Sequence, residues 1–239
     1  MASIDEIAPD VFRISIYVPD FKLQFNQFLV RDDRPMLFHT GMQSMFDEVY
    51  EAVETLIEPD QLRYVGFSHF EVDECGSLNE WLEVAPNAEA VCSLVGAQVN
   101  MADFADRPAR GLTPEDVLET GSYRFQFIPT PHLPHGWDAG VMFEQTNQTM
   151  LCSDLLHQNG DVEAVTDRSV IDRVAESLGG YEQTPLASYM PYSARTDGLI
   201  EQLADLNPRT LATMHGTTYR GDGARALREF GDVMKEIYG

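Results

Sequence analysis

The densest group of metal-competent side chains is Ser68-His69-Phe70-Glu71-Val72-Asp73-Glu74, which follows directly on the apolar run Tyr64-Val65-Gly66-Phe67. An imidazole and three carboxylates share this short stretch, and no Lys or Arg lies between Arg63 and Arg107 to offset the acids. In extended backbone, alternate side chains point the same way, which places His69, Glu71 and Asp73 on one side and Phe70 and Val72 on the other. Such a loop is expected to bind a cation. A solvated acidic loop is the competing reading, because 39 acids in 239 residues make clusters of this kind common.

Three more metal-competent residues occupy comparable places. His132, Asp154 and His215 each sit where an apolar strand gives way to a loop, as His69 does. Layered α/β proteins commonly mount functional groups there, on a rigid scaffold. Taken singly, His215 could cap a helix, Asp154 could form an Asx turn and His132 could bond within its Pro-rich loop.

The elements that must carry these residues follow from periodicity. Strands are expected at 11–17, 25–30, 36–39, 64–67, 88–93, 123–128 and 210–214, with a hairpin pairing 141–145 and 149–152 across Thr146-Asn147-Gln148. Helices are expected at 44–55 with Ser44 as N-cap, at 76–82, at 96–104, through most of 167–205, and at 224–238. Pro129, Pro131 and Pro134 stiffen the loop that holds His132 and His135. Strand and helix blocks alternate, which predicts an α/β arrangement with its sheets covered by helices.

Composition narrows the function classes. The net charge is −23, with fourteen arginines and two lysines, Lys22 and Lys235. Nucleic acids and anionic membrane surfaces need clustered cations, so neither is an expected partner. No linker or repeat divides the chain, and a single domain over residues 1–239 is expected. The acidic start lacks the basic region of a signal peptide, and no stretch reaches the length of a membrane span, so a soluble cytoplasmic protein is expected. Cys75, Cys92 and Cys152 are odd in number and lack CxxC spacing, which points to small buried side chains.

The HxExD element at 69–73, His132-Leu133-Pro134, Ser153-Asp154 and Met214-His215-Gly216 occur in the order seen in the metallo-β-lactamase fold. The sequence resembles the diiron domain of flavodiiron proteins and the flavin-less oxygen-binding diiron proteins. The resemblance runs from Phe25 to the C-terminus, through Met190-Pro191-Tyr192-Ser193 and Leu206-Asn207-Pro208. Its most specific residue is Glu71, because zinc hydrolases of this fold typically carry a second histidine there. The resemblance implies a four-layer αββα sandwich. It also implies two iron ions joined by an oxo or hydroxo bridge, with Mn or Zn as the alternative. His69, Glu71 and His132 would bind the first ion, Asp73 and His215 the second, and Asp154 both. All-N/O donors with three carboxylates suit iron or manganese.

Two positions depart from the pattern. Glu74 replaces a histidine that usually binds the second iron, giving either a fourth carboxylate or an open position. His39 stands where the fold often has aspartate, and is expected to orient a ligand through its other ring nitrogen or to be a core residue. His135 and Trp137 are expected to line the pocket, with His135 able to replace His132 if the loop turns. His157 has no supporting context.

Three functions fit. The first is a diiron protein that binds dioxygen as a sensor or reservoir. The second is an O2 or NO reductase fed by a separate rubredoxin or flavodoxin-type donor, since neither a flavodoxin domain nor FMN is expected in this chain. The third is a dinuclear hydrolase of an ester, lactone or thioester. The first is preferred, as a homodimer.

Overall fold

The alternating segment Val11–Val18 is the second strand of a seven-stranded sheet in the computed structural model, which describes residues 1–239. That sheet runs in chain order: β1 (Ser3–Ala8), β2 (Val11–Val18), β3 (Leu23–Val30), β4 (Met36–Phe38), β5 (Tyr64–Gly66), β6 (Glu89–Ser93) and β7 (Arg110–Leu112). Pairing is antiparallel from β1 to β4 and parallel from β4 to β7.

The second sheet holds β8 (Val117–Glu119), β9 (Arg124–Pro129), β10 (Gly140–Glu144), β11 (Thr149–Leu151), β12 (Val165–Thr166), β13 (Thr210–Ala212) and β14 (Thr218–Arg220). Its order is β12-β14-β13-β11-β10-β9-β8, with β11 parallel to β13. The expected hairpin forms, with Met142 opposite Leu151 and Glu144 opposite Thr149.

The core lies in three sheets of contact. Phe28, Val30, Met36 and Phe38 of the first sheet meet Phe125, Phe127, Met142 and Leu151 of the second. Helices α1 (Phe46–Glu54), α2 (Val72–Cys75) and α3 (Leu78–Val84) cover the outer face of the first sheet, where Val49, Val53, Leu78 and the fully buried Trp81 pack. The short α4 (Leu94–Gly96) and α5 (Ala102–Phe104) flank a π-helical turn at Ala97–Met101. Helices α6 (Ile171–Tyr181), α7 (Thr196–Ala204) and α8 (Gly223–Tyr238) cover the second sheet through Val174, Leu203, Leu227 and Phe230. The arrangement is the expected αββα sandwich.

Some local expectations need correction. The backbone is extended only as far as Glu71 (φ −141, ψ 152), and Val72 opens a helical turn, so Asp73 does not continue the alternation begun at His69. Acidic residues at 73 and 74 favour the first turn of a helix, where backbone N–H groups are unpaired. Ser44 lies in a 3-10 turn and caps nothing; α1 begins at Phe46. The helical reading of 167–205 holds for two segments, and the loop between them carries Tyr189 and Met190 back towards the strand ends.

Candidate metal centre

Each candidate ligand is delivered by a short strand, fully buried in β5, β11 and β13 and buried on one face in β9, where Phe125 and Phe127 point inward. Strand β5 leads to His69, β9 to the 130–139 loop, β11 to Asp154 and β13 to His215. Cross-links between loops hold them in place. Gly140 N donates to Ser68 O (3.1 Å) and Phe70 N to Asp138 Oδ2 (2.9 Å), tying the His69 loop to the 130–139 loop. Asn26 of β3 donates Nδ2–H to Thr213 O and Gly216 O, both at 2.9 Å, which fixes the turn bearing His215.

His69, Glu71, His135 and Asp154 converge, each offering an atom within 4.8 Å of the others. His69 Nε2 lies 2.9 Å from His135 Nε2, and Glu71 Oε2 lies 3.0 Å from the first and 2.8 Å from the second. Asp154 extends the group in both directions. Its Oδ2 is 3.6 Å from His69 Nε2 and from His135 Nε2, and its Oδ1 is 3.4 Å from His215 Nε2. His215 Nε2 is in turn 3.2 Å from Asp73 Oδ2. Asp154 thus stands between two lobes, His69/Glu71/His135 and Asp73/His215.

The tautomers show what the lobes can hold. His135 Nδ1 faces Tyr189 O at 3.2 Å and His215 Nδ1 faces Gln24 O at 2.8 Å. A carbonyl only accepts, so Nδ1 carries the proton and the neutral ring directs the Nε2 lone pair at the centre. His69 Nδ1 likewise faces acceptors, the Glu74 carboxylate at 3.2 Å and Ser153 Oγ at 3.1 Å. Lone pairs and carboxylate oxygens facing one another need a cation or protons between them. Ligands at right angles on an ion with bonds near 2.1 Å stand about 3 Å apart, close to the separations within each lobe. Asp73 Oδ1 and Asp154 Oδ1 are buried without a hydrogen-bond donor, as atoms reserved for a metal would be. The residues fit a pair of metal ions.

Protons can take the place of metal in the electrostatics. Burial alone would lower both His69 and His215. Glu74 and Glu71 overcome it for His69, which is raised well above its ordinary value, and Asp73 and Asp154 raise His215 to about 9. Burial would raise Glu71, but His135 and His69 bring it down to about 2. Burial pushes Asp154 up, against the pull of His69 and His215. Buried His157, packed on His215, is lowered to about 3 by desolvation and then by that neighbour.

His132 does not join the cluster. It is exposed, with φ 67, and its N–H closes a turn on Gly136 O at 2.7 Å; that turn brings His135 inward instead. Glu74 is fully buried, with its carboxylate on the Nδ1 side of His69, whereas the lobes gather at Nε2. His39 is buried and touches Ser68 Oγ (3.3 Å) and Glu74 Oε1 (3.6 Å) but no lobe residue. Trp137 is 59% exposed. The sequence assigns no role to Asn26 or Tyr189, and none to Ser68 and Ser153 beyond their places beside His69 and Asp154. Glu74 had a signal, since a Glu three residues after a helix N-cap commonly reaches back to preceding backbone N–H groups.

The fold has known counterparts. The flavodiiron protein of Giardia intestinalis superposes with a TM-score of 0.83 at 20% identity, covering 98% of this chain and 60% of that one. The 1–254 fragment of putative diflavin flavoprotein A 5 from Nostoc sp. PCC 7120 superposes at 0.80 and 20% identity, over 99% and 96% of the two chains. Among curated relatives, flavo-diiron protein FprA2 of Clostridium acetobutylicum is 22% identical over 252 residues, and rubredoxin-oxygen oxidoreductase of Megalodesulfovibrio gigas 23% identical over 202. The alignments take in 97% and 82% of this chain but only 62% and 49% of those relatives. A family profile described as ODP family beta lactamase matches residues 23–216, from the strand that clasps the His215 turn to the glycine that follows His215. On that match, which takes in every residue of both lobes, the chain belongs to the ODP family beta lactamase.

Proposed function

We propose that this chain is a non-haem diiron domain that binds dioxygen, as a sensor or reservoir, in a cytoplasmic homodimer. The observation that carries the reading is Asp154, a buried carboxylate between two lobes whose three histidines all direct Nε2 at the centre. His69, Glu71 and His135 would hold one ion, Asp73 and His215 the other, and Asp154 both. When bound, two ferrous ions supply reversible electron donation to dioxygen. The protein's part is to fix donor geometry before metal arrives, exclude bulk water from Asp154 and His215, and hold the protons on Nδ1, donated to Gln24 O, Tyr189 O and the Glu74 side. Three buried free cysteines accord with a reducing compartment.

A second reading is that the domain reduces O2 or NO with electrons from a rubredoxin or flavodoxin-type donor; the name of one relative, rubredoxin-oxygen oxidoreductase, supports its oxygen and rubredoxin form. Exposed Phe70 and Val72 flank Glu71, and exposed Trp137 follows His135, which gives a partner or second copy an apolar surface beside the centre. Elemental analysis of protein grown with iron, followed by a reduced anaerobic spectrum before and after air, tests the proposal. Two irons per chain and a new visible band are expected. Sustained O2 or NO consumption with an added reductant would favour the reductase. Zinc in both lobes, with turnover of an ester, lactone or thioester, would overturn both.

A further inference from the structure

Glu74 is a fully buried carboxylate whose oxygens are both engaged. Oε2 accepts from His69 N (2.8 Å), Ser68 N (3.1 Å) and the Ser68 hydroxyl. Oε1 accepts from Ser153 Oγ (3.0 Å) and lies 3.2 Å from His69 Nδ1, with His39 Nε2 at 3.6 Å. The nearest Lys and Arg in sequence, at 63 and 107, make no contact with it; the charge is balanced only through imidazoles and dipoles. The Nδ1 proton of His69 reaches Glu74 directly, or through Ser153 Oγ at 3.1 Å. The other two central histidines rest their Nδ1 protons on neutral carbonyls, Tyr189 O and Gln24 O.

The lobes are therefore unequal. An imidazole backed by a carboxylate has part of an anion's donor strength, and partners of this kind also lock the ring and its tautomer. Resting on the dinuclear reading above, we propose that Glu74 is a positioning residue, not a ligand: it strengthens His69 as a donor, so that the His69/Glu71/His135 lobe takes metal first and more tightly than the Asp73/His215 lobe. Ser68 and Ser153 hold the carboxylate in place, and His39 closes the pocket behind it.

Titration of metal-free protein with Co2+ against a competing chelator, followed by the visible bands of the bound ion, tests this without dioxygen. Wild type is expected to load in two resolved steps. His215→Ala should keep the first step and His135→Ala should lose it. Glu74→Gln, close in shape but uncharged, is expected to weaken the first step ten- to a hundredfold while leaving the second within about twofold. The same loss should appear in the His215→Ala background.

Unchanged steps in Glu74→Gln would overturn the proposal. So would weakening confined to the second step, which would make Glu74 a ligand of the other lobe, or equal weakening of both, which would make its role merely structural. Should Glu74→Gln fail to fold by circular dichroism, Ser153→Ala carries the test: a weaker first step alone supports the proposal, and wild-type binding overturns it. Wild type that binds no Co2+ overturns this inference together with the metal centre. Two-step loading by a protein that, once loaded with iron, is inert to dioxygen overturns only the proposed function.

Discussion

His39 and Glu74, the two positions at which the chain departs from the pattern it resembles, meet in the core: His39 Nε2 lies 3.6 Å from Glu74 Oε1 and neither side chain is exposed. An acid was expected at 39 and an imidazole at 74, so the contact keeps one of each with their places exchanged.

That exchange makes the positions interdependent. His39→Asp alone sets two carboxylates together without solvent, and Glu74→His alone leaves two imidazoles facing the Ser68 and Ser153 hydroxyls. Each single variant is expected to lose about 3 kcal/mol of stability, as when one partner of a buried pair is removed. The double variant should regain more than about 1 kcal/mol over the sum. Urea unfolding of the four metal-free proteins measures the coupling, and strict additivity would show that the two side chains do not interact.

The 130–139 loop offers a choice between two histidines three residues apart. His135→Ala is expected to remove one metal ion per chain, and His132→Ala, at an exposed position, to remove none and to change stability by less than about 0.5 kcal/mol. Metal content after dialysis, measured on both variants, separates them. Loss of metal from His132→Ala alone would return that residue to the centre.

Acidity should shape the stability of the metal-free protein. His215 rises to about 9 when folded, so its contribution is complete below its unfolded value near 6.5 and is lost as pH rises through about 9. Its size is about 3 kcal/mol. His157, buried neutral at about 3, acts on the other side: its contribution is complete above 6.5 and shrinks as pH falls from there towards 3. Glu71, lowered to about 2, adds a loss as pH falls from 4.5 through 2. Thermal unfolding of the chelated protein should therefore peak near pH 6 to 7. Bound metal displaces the Nε2 protons, so the alkaline decline should vanish in the loaded protein. An alkaline limb that is identical with and without metal would contradict this account.

Gly140 sits where β10 meets the His69 loop. A Cβ there would stand 2.4 Å from the Phe127 ring and 2.8 Å from Ile128 O. Gly140→Ala should cost about 1–3 kcal/mol through overpacking. It should also loosen the bond from Gly140 N to Ser68 O, and so weaken metal binding as well as folding. Gly179→Ala, in α6 with nothing near a Cβ, serves as the control and should be neutral or mildly stabilising.

Much of this molecule is legible in its sequence because apolar strands end abruptly at polar residues. His69, Asp154 and His215 were found at such ends, and all three lie in the centre. Position within a loop is harder to read. His132 and His135 share the same prolines, and only the turn at His132 and the distant Tyr189 carbonyl select between them. Asp73 and Glu74 are adjacent, and the helical turn starting at Val72 sends one to the metal side and the other behind His69. Strands β1, β7, β8 and β12 are hard to read because they are sheet edges, short or half exposed, with weak apolar patterning, and β14, inside the second sheet, is hard to read because it is three residues long and grades from buried Thr218 to exposed Arg220. Asn26 and Ser153 act through contacts distant in sequence, which no local pattern records.

The order of strands also bears on how the protein is made. The first sheet follows chain order throughout, whereas in the second sheet β13 can join β11 only after helices α6 and α7 have been synthesised. Every residue of the His69/Glu71/His135 lobe, and Asp154 with it, has left the ribosome well before His215. A growing chain can therefore gather donors for one ion long before it can gather those for two. Delivery of metal during synthesis would yield a half-filled intermediate, and the second ion would report that β13 has taken its place.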